Sequence, residues 1–220
     1  MRTYVGRLAA ELIVIVVGIL LALGADALLE QRAERAQERL ILRTLEGDLR
    51  ESADKLRADS EFALERSGTL RGLYDYQATG AGGLTEEQQQ DIRIAANVTS
   101  AYAPILRAYE SLVATGTLKL IRSEEILYGL ADVKRSTEEY LNYRDQATNV
   151  WLFTLMPVWL EEVGAGGSAE LIQAATSRRF RGAIGQRLMF LRFTGERGIK
   201  LADRMEVLAA RINRELEANQ

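Results

Sequence analysis

The sequence predicts an all-α protein in which a single N-terminal transmembrane helix continues into an extramembrane helical bundle. An aliphatic run lies near the N-terminus, and apolar residues then recur at steps of three and four. Only two prolines occur in 220 residues, so long stretches contain no helix breaker. We therefore divide the chain into a tail and anchor, residues 1–29, and an all-α domain, residues 30–220.

The anchor prediction rests on the segment "ELIVIVVGILLALGADALLEQ". Fourteen uncharged residues separate Glu11 from Asp26, and the apolar character extends from Leu8 to Leu29, a span of 22 residues. A membrane helix needs about twenty residues, and carboxylates near its ends reach the headgroups. A basic start and a small-x-small pattern also fit a signal peptide, but Glu11 heads the apolar region, so we favour an uncleaved anchor.

One face of this predicted helix carries small or polar residues. At 100° per residue these four positions fall within a narrow arc: Glu11, Gly18, Ala22 and Ala25. Small residues let another helix approach closely, and a carboxylate at membrane depth normally faces a partner or water. The face predicts docking of another transmembrane helix. Ordinary glycine and alanine usage, with Glu11 solvated at the interface, is the alternative.

The orientation of the anchor is left open by the residues themselves. Four arginines follow the apolar run and two precede it: Arg32, Arg35, Arg39 and Arg43, against Arg2 and Arg7. Counted literally, the positive-inside rule favours a cytoplasmic domain. A short basic tip before an apolar run is equally typical of an inward N-terminus.

The helical pattern continues after the anchor without a cap or a proline. Apolar residues recur from Leu29 to Leu56, so the anchor is predicted to continue as a stalk that packs in its own domain. A homodimeric stalk is the alternative, which makes the chain a candidate homo-oligomer.

Turn and cap signals divide the rest of the chain. The predicted features, in order, are a loop at Gln77–Leu84, a capping box from Thr85 to Gln88, a helical piece after Pro104 ending at Gly116, an N-cap at Ser123, a loop at 162–170 with Ser168 as the next cap, and a helix over Ser177–Glu217. No segment shows a competing strand signal.

The composition argues against catalysis. The chain has no cysteine and no histidine, which removes thiolate chemistry, the usual general base and the commonest zinc ligand. Helical di-iron sites require Glu-x-x-His, and neither "GAGG" stretch belongs to a nucleotide-binding pattern. We therefore predict a protein that is not an enzyme and that carries no cofactor and no metal.

An apolar segment is the first candidate contact surface. "VWLFTLMPVWL", residues 150–160, is too short to span a membrane. Tryptophan is enriched at membrane interfaces and at protein–protein hot spots. A partner or lipid surface is predicted to use Trp151, Phe153, Pro157 and Trp159, and packing in the core is the alternative.

An arginine-rich helix is the second candidate surface. Its leading cations are Arg178, Arg179, Arg181 and Arg187, and Glu196 is the only acid between Arg178 and Lys200. Such a helix binds anionic lipid or an acidic partner, or is simply a solvated face. The same charges suit nucleic acid, but an anchor and a net charge of −3 argue against that partner.

Two stretches resemble a family of uncharacterised bacterial single-pass membrane proteins. The anchor Glu11–Leu23 followed by Leu42, Leu45, Asp48 and Leu49 is similar to the family's opening, and "AYESLVATGTLKLIRSEEILYGL" is similar to its second signature. The resemblance implies a bacterial inner-membrane protein with an inward N-terminus and a helical domain on the periplasmic side. It implies no activity and no catalytic residue.

We predict from these features a non-enzymatic accessory or scaffolding subunit. Its partners would be integral membrane subunits of a larger complex, together with membrane lipid. An energy-converting respiratory or photosynthetic assembly is the class of complex suggested, without a motif that specifies it. The alternative is a membrane-anchored sensor or signalling module whose helical bundle binds a ligand.

Overall fold

The computed structural model describes the backbone of residues 2–79, 84–97, 102–164 and 168–218. Side chains are described for 28–76, 84–97, 102–164 and 169–218. Every regular element in these ranges is helical, which confirms the all-α class. The helices are α1 (Arg2–Thr79), α2 (Glu86–Asn97), α3 (Arg107–Thr115), a 3₁₀ turn (Thr117–Leu120), α4 (Glu124–Val150), a π-helical turn (Trp151–Leu155), α5 (Met156–Glu162), α6 (Ser168–Ala175) and α7 (Arg178–Ala218).

Three long helices form the frame of the bundle. The packing of α1 along α7 is the most extensive contact, followed by that of α4 along α7. Ser60 of α1 lies opposite Gly198 of α7, whereas Tyr74 lies opposite Gly185, so the two helices are antiparallel. Gly129 at the start of α4 lies against Leu208, so α4 begins beside the C-terminal part of α7.

Two apolar clusters fill the bundle. The proximal cluster, nearer the projecting start of α1, joins Leu42–Leu56, α3, the first half of α4 and Leu201–Leu216. The distal cluster joins Ala63–Leu73, α2, α5, α6 and Phe180–Leu191. Apolar side chains at three- and four-residue spacing create both clusters, because that spacing places them on one face of each helix.

A narrow polar crossing separates the two clusters where α1 meets α7. Ser60 and Thr194 are buried there, and Gly195 and Gly198 face α1. A Cβ at Gly195 would lie 2.9 Å from the carbonyl oxygen of Ser60. The absence of side chains at both glycines therefore allows the two backbones to approach closely.

The predicted caps are confirmed wherever their side chains are described. The Thr85 backbone N–H donates to Gln88 Oε1 at 2.9 Å, and the Gln88 N–H donates to Thr85 Oγ1 at 3.2 Å. Ser123 Oγ accepts from the N–H of Ile126, and Gly116 ends α3 with a φ of 68°. The left-handed conformation at Gly116 costs little because glycine has no Cβ. The side chain of Ser168 and residues 80–83 lie outside the described part.

The predicted stalk is seen in α1, which runs as one helix through Thr79. Residues 28–37 are all exposed, and Leu42 is the first buried residue among the described side chains of α1. Within the described residues, no helix has both the length and the apolar character required to cross a membrane. The side chains of residues 8–23 lie outside that part of the chain, so the anchor stays a prediction.

We expect Gly198→Ala to lower the free energy of unfolding by about 1–3 kcal/mol, the typical cost of overpacking. The new Cβ would overlap Ser60 Oγ and lie 3.2 Å from the Tyr140 ring. Ser60→Ala removes that oxygen and should restore part of the loss. Urea unfolding of the full chain in mild detergent, followed by circular dichroism, measures both effects.

Gly182→Ala is the matched control in the same helix, because a Cβ at this position would have no atom within 4 Å apart from its chain neighbours and the backbone of its own helix. It should be neutral, or stabilise the helix by up to about 1 kcal/mol through helix propensity. Equal behaviour of Gly198→Ala and Gly182→Ala would show that α1 and α7 do not meet as described.

Candidate partner-binding surfaces

The segment Trp151–Glu162 changes helix type at its start. The N–H of Met156 donates to the carbonyl of Trp151, five residues earlier, as in a π-helix. Pro157 has no N–H to donate to the carbonyl of Phe153, and its ring crowds that carbonyl. The wider π turn precedes this proline and rotates the following side chains relative to an uninterrupted α-helix.

This rotation gives the segment one buried side and one exposed side. Leu155, Val158 and Trp159 belong to the distal cluster, where the Trp159 and Phe180 ring centroids lie 5.7 Å apart. Trp151 is half-buried, and its Nε1–H donates to the carbonyl of Ala96 in α2 at 3.1 Å. Trp159 therefore packs in the core, which was the alternative to a contact surface. Its side chain is 4 % exposed and is not available to a partner.

The opposite side carries four exposed apolar residues, which we name the apolar stripe: Leu152, Phe153, Pro157 and Leu160. Phe153 is 76 % exposed and Leu160 is 64 % exposed. Single exposed apolar residues are ordinary, but adjacent ones on a helix anchored by buried neighbours form a rigid contact surface. The predicted contacts Phe153 and Pro157 both lie on this stripe.

The start of α7 is tied to the end of α5 beside the stripe. Ser177 Oγ accepts from the N–H of Phe180 at 3.3 Å and donates to Glu162 Oε1 at 3.0 Å. Arg179 forms an ion pair with Glu161. Both partners of that pair are mainly exposed, so it contributes little to stability and remains accessible.

The arginines of α7 do not form one basic face. Arg187 is 1 % exposed, and its Nη1 donates to the carbonyl of Ala147 at 3.5 Å. Burial lowers the pKa of Arg187 to about 10, so it remains charged at neutral pH within the core. The prediction that Arg187 contacts a partner or lipid is therefore wrong for this structure. The remaining predicted cations, Arg178, Arg179 and Arg181, lie within the first turn of α7.

A cleft lies between these first turns and the end of α1. This distal cleft has a volume of about 570 Å³, and its lining comprises Arg71, Tyr74, Arg178, Arg181, Gly182, Gly185, Gln186, Leu188 and Met189. The Arg181 guanidinium lies 4.7 Å above the Tyr74 ring, a cation–π arrangement. Arg178 has no ion pair or ring contact among the described residues. A rim of arginines around apolar side chains suits an amphipathic anion, such as an acidic side chain of a partner.

A second cleft lies at the opposite end of the bundle and was not predicted as a contact site from the sequence. This proximal cleft has a volume of about 500 Å³, and its lining comprises Arg32, Arg35, Glu38, Arg39, Leu42, Arg122, Glu215 and Leu216. The backbone N–H of Arg122 donates to Glu38 Oε1 at 2.8 Å. The side-chain Nη2 of Arg122 donates to Glu34 Oε2 at 3.0 Å. These bonds join α1 to the start of α4. The three arginines of α1, spaced at i, i+3 and i+7, were the available sequence signal.

The predicted transmembrane docking face lies outside the described side chains. Glu11, Gly18, Ala22 and Ala25 belong to α1 by their backbone, but their side-chain surroundings are not described. Their common face therefore stays a prediction from helical spacing.

Comparison with known proteins does not place this chain in a family. No protein-family model, no curated protein and no solved structure matches it. The resemblance to uncharacterised single-pass membrane proteins stays a prediction, and the candidate surfaces are judged by their own geometry.

Phe153→Ser should leave stability within about 0.5 kcal/mol of the parent, because the ring packs against little of the chain. The same substitution should weaken capture of a partner that binds the apolar stripe. Unfolding in mild detergent and quantitative co-purification from native membranes measure the two effects separately.

Trp159→Ala is the contrasting variant and should cost about 3–5 kcal/mol, because it empties a site in the distal cluster. Loss of stability in Phe153→Ser as large as in Trp159→Ala would contradict the assignment of Phe153 to an exposed surface. Unchanged co-purification of Phe153→Ser would contradict the stripe as a contact.

Proposed function

We propose that this chain is a membrane-anchored accessory subunit that binds and stabilises a larger membrane protein complex. It has no catalytic role in this proposal: α1 tethers the bundle to the membrane and the bundle presents contact surfaces. The partners are integral membrane subunits of the complex, with lipid around the anchor. An inner-membrane location with the bundle on the periplasmic side follows the family resemblance.

The observation that carries the proposal is the continuity of α1. The helix begins at Arg2 and ends at Thr79 inside the bundle, so the predicted anchor and the buried stalk belong to one element. Leu28 and Leu29, at the end of the apolar run, are 59 % and 62 % exposed. Apolar side chains with this exposure are expected where a helix enters a lipid bilayer.

The surfaces of the bundle support a role in binding rather than in catalysis. The apolar stripe offers Phe153 and Leu160 on a helix fixed by Trp159 beneath it. Aromatic anchors of this kind carry much of the energy at protein interfaces. The predicted docking face on the anchor would supply a second contact, within the membrane, to the same complex.

A sensor remains the alternative, and the distal cleft is the observation that favours it. Its volume suits a small amphipathic anion, and it lies between α1 and α7, the two helices whose packing defines the bundle. A ligand bound there would stabilise the folded state by mass action. A rise in melting temperature with small carboxylates, abolished by Arg178→Gln, would favour the sensor over the accessory subunit.

Extraction from native membranes tests the proposal. The protein is solubilised in mild detergent and separated by size, and the accompanying proteins are identified by mass spectrometry. We expect migration in a stoichiometric complex several times larger than the chain itself. Migration alone, or as a small homo-oligomer, would contradict the role of an accessory subunit.

If the predicted docking face on the anchor binds a partner helix, bulky substitutions on that face should weaken the complex. Gly18→Leu and Ala22→Leu add bulk where another helix is expected to approach, so both should lower the recovery of partner subunits. Ala9→Leu adds the same bulk as Ala22→Leu, but Ala9 lies nine residues before Gly18 and therefore on the opposite face of the helix, so it serves as the control. Equal recovery with all three variants would contradict the docking face.

A further inference from the structure

The proximal cleft lies where α1 leaves the bundle, and three of its four arginines come from one face of that helix. Arg32, Arg35 and Arg39 line the cleft together with Arg122, which precedes α4. Leu42 and Leu216 lie beneath the cleft, buried in the proximal cluster. The cleft therefore presents guanidinium groups at the end of the bundle that faces the predicted anchor.

Part of the positive charge of the cleft stays available. Two carboxylates line it, Glu38 and Glu215, and Glu215 is engaged in an interaction of its own. Glu38 and the adjacent Glu34 bind the backbone N–H and the side chain of Arg122. Arg32 and Arg35 are exposed, and neither forms an ion pair with another described residue. Two guanidinium groups on adjacent turns of a helix can donate several hydrogen bonds to one phosphate group.

The first two of these arginines lie closest to the depth of lipid headgroups. An α-helix rises about 1.5 Å per residue, so Arg32 lies about 5 Å and Arg35 about 9 Å beyond Leu29, whereas Arg39 lies about 15 Å beyond it. The headgroup layer is about 5–8 Å thick, so Arg32 lies within it and the long side chain of Arg35 reaches back to it. The polar headgroup layer begins where the apolar run ends. The cleft would then open toward the headgroups of the leaflet that α1 leaves.

From this geometry we propose that the proximal cleft is a binding site for the phosphodiester headgroup of an anionic phospholipid. Arg32 and Arg35 bind the phosphate oxygens, and Arg39 and Arg122 complete the lining of the cleft. The bound lipid would fix the height and tilt of the bundle relative to the membrane. This site rests on the proposed membrane anchor.

A lipid, rather than free phosphate, is the occupant to which the geometry points. The exposed Leu28 and Leu29 on the same helix would bring the cleft to the bilayer surface, where the local concentration of headgroups is high. Anionic headgroups attract each nearby arginine by an amount equivalent to about a fivefold change in binding. A soluble phosphate would use the same guanidinium groups without the membrane.

The test uses the full chain in nanodiscs of equal parts phosphatidylglycerol and phosphatidylcholine. Native mass spectrometry counts the lipids retained on the released protein. The wild-type chain should retain phosphatidylglycerol selectively, and Arg32→Gln with Arg35→Gln should reduce that retention about fivefold for each arginine removed. Arg43→Gln, compared with Arg35→Gln alone, is the control, because Arg43 is an exposed arginine of α1 outside the cleft that likewise forms no ion pair with another described residue.

Two further measurements separate the possible failures. Flotation of the wild-type chain with vesicles tests the anchor, and its absence would overturn both the anchor and this site. Flotation with equal phosphatidylglycerol retention in the cleft and control variants would overturn the site alone. Displacement of the retained lipid by inorganic phosphate would overturn the lipid as the occupant in favour of a soluble phosphate compound.

Discussion

The close approach of α1 and α7 at Gly195 and Gly198 is the constraint on which the rest of the structure depends. Neither glycine has a side chain to hold the backbones apart, so Ser60 is buried at the crossing. The register set there places Leu56 and Leu201 in the proximal cluster and Ala63 and Leu191 in the distal cluster. It therefore also fixes where both clefts form, since each opens at one end of the same helix pair.

This arrangement connects the predicted membrane anchor to the bundle without an intervening joint. A continuous helix holds the bundle at a defined distance from the predicted anchor, because a sharp kink would require the loss of backbone hydrogen bonds. The surface ion pairs around it are mostly exposed and individually weak. The buried apolar clusters hold the bundle together. The apolar stripe and the exposed Arg32, Arg35 and Arg178, which form no ion pair with another described residue, are available for contact.

Helical periodicity predicted much of this fold, including the unbroken α1, the capping box at Thr85 and the long helix α7. Those elements could be predicted because helix periodicity and capping depend on residues that are close together in the sequence. The division of the segment 150–160 into buried and exposed sides was not predictable, since the π turn before Pro157 changes the phase of the helix. The burial of Arg187 and the assembly of the proximal cleft depend on contacts between distant segments. Arg122 is separated from Arg32 by 90 positions, and no local pattern links them.

Single-cysteine labelling along α1 tests most directly whether one helix passes from the membrane into the bundle. The chain contains no cysteine, so each introduced thiol is the sole target of a membrane-impermeant maleimide. In sealed membrane vesicles, we predict that Ala33→Cys is labelled from one side only, whereas Ile15→Cys is labelled only after the bilayer is dissolved. That side also identifies the compartment of the bundle. Equal labelling of both positions in intact membranes would contradict the anchor and the account built on it.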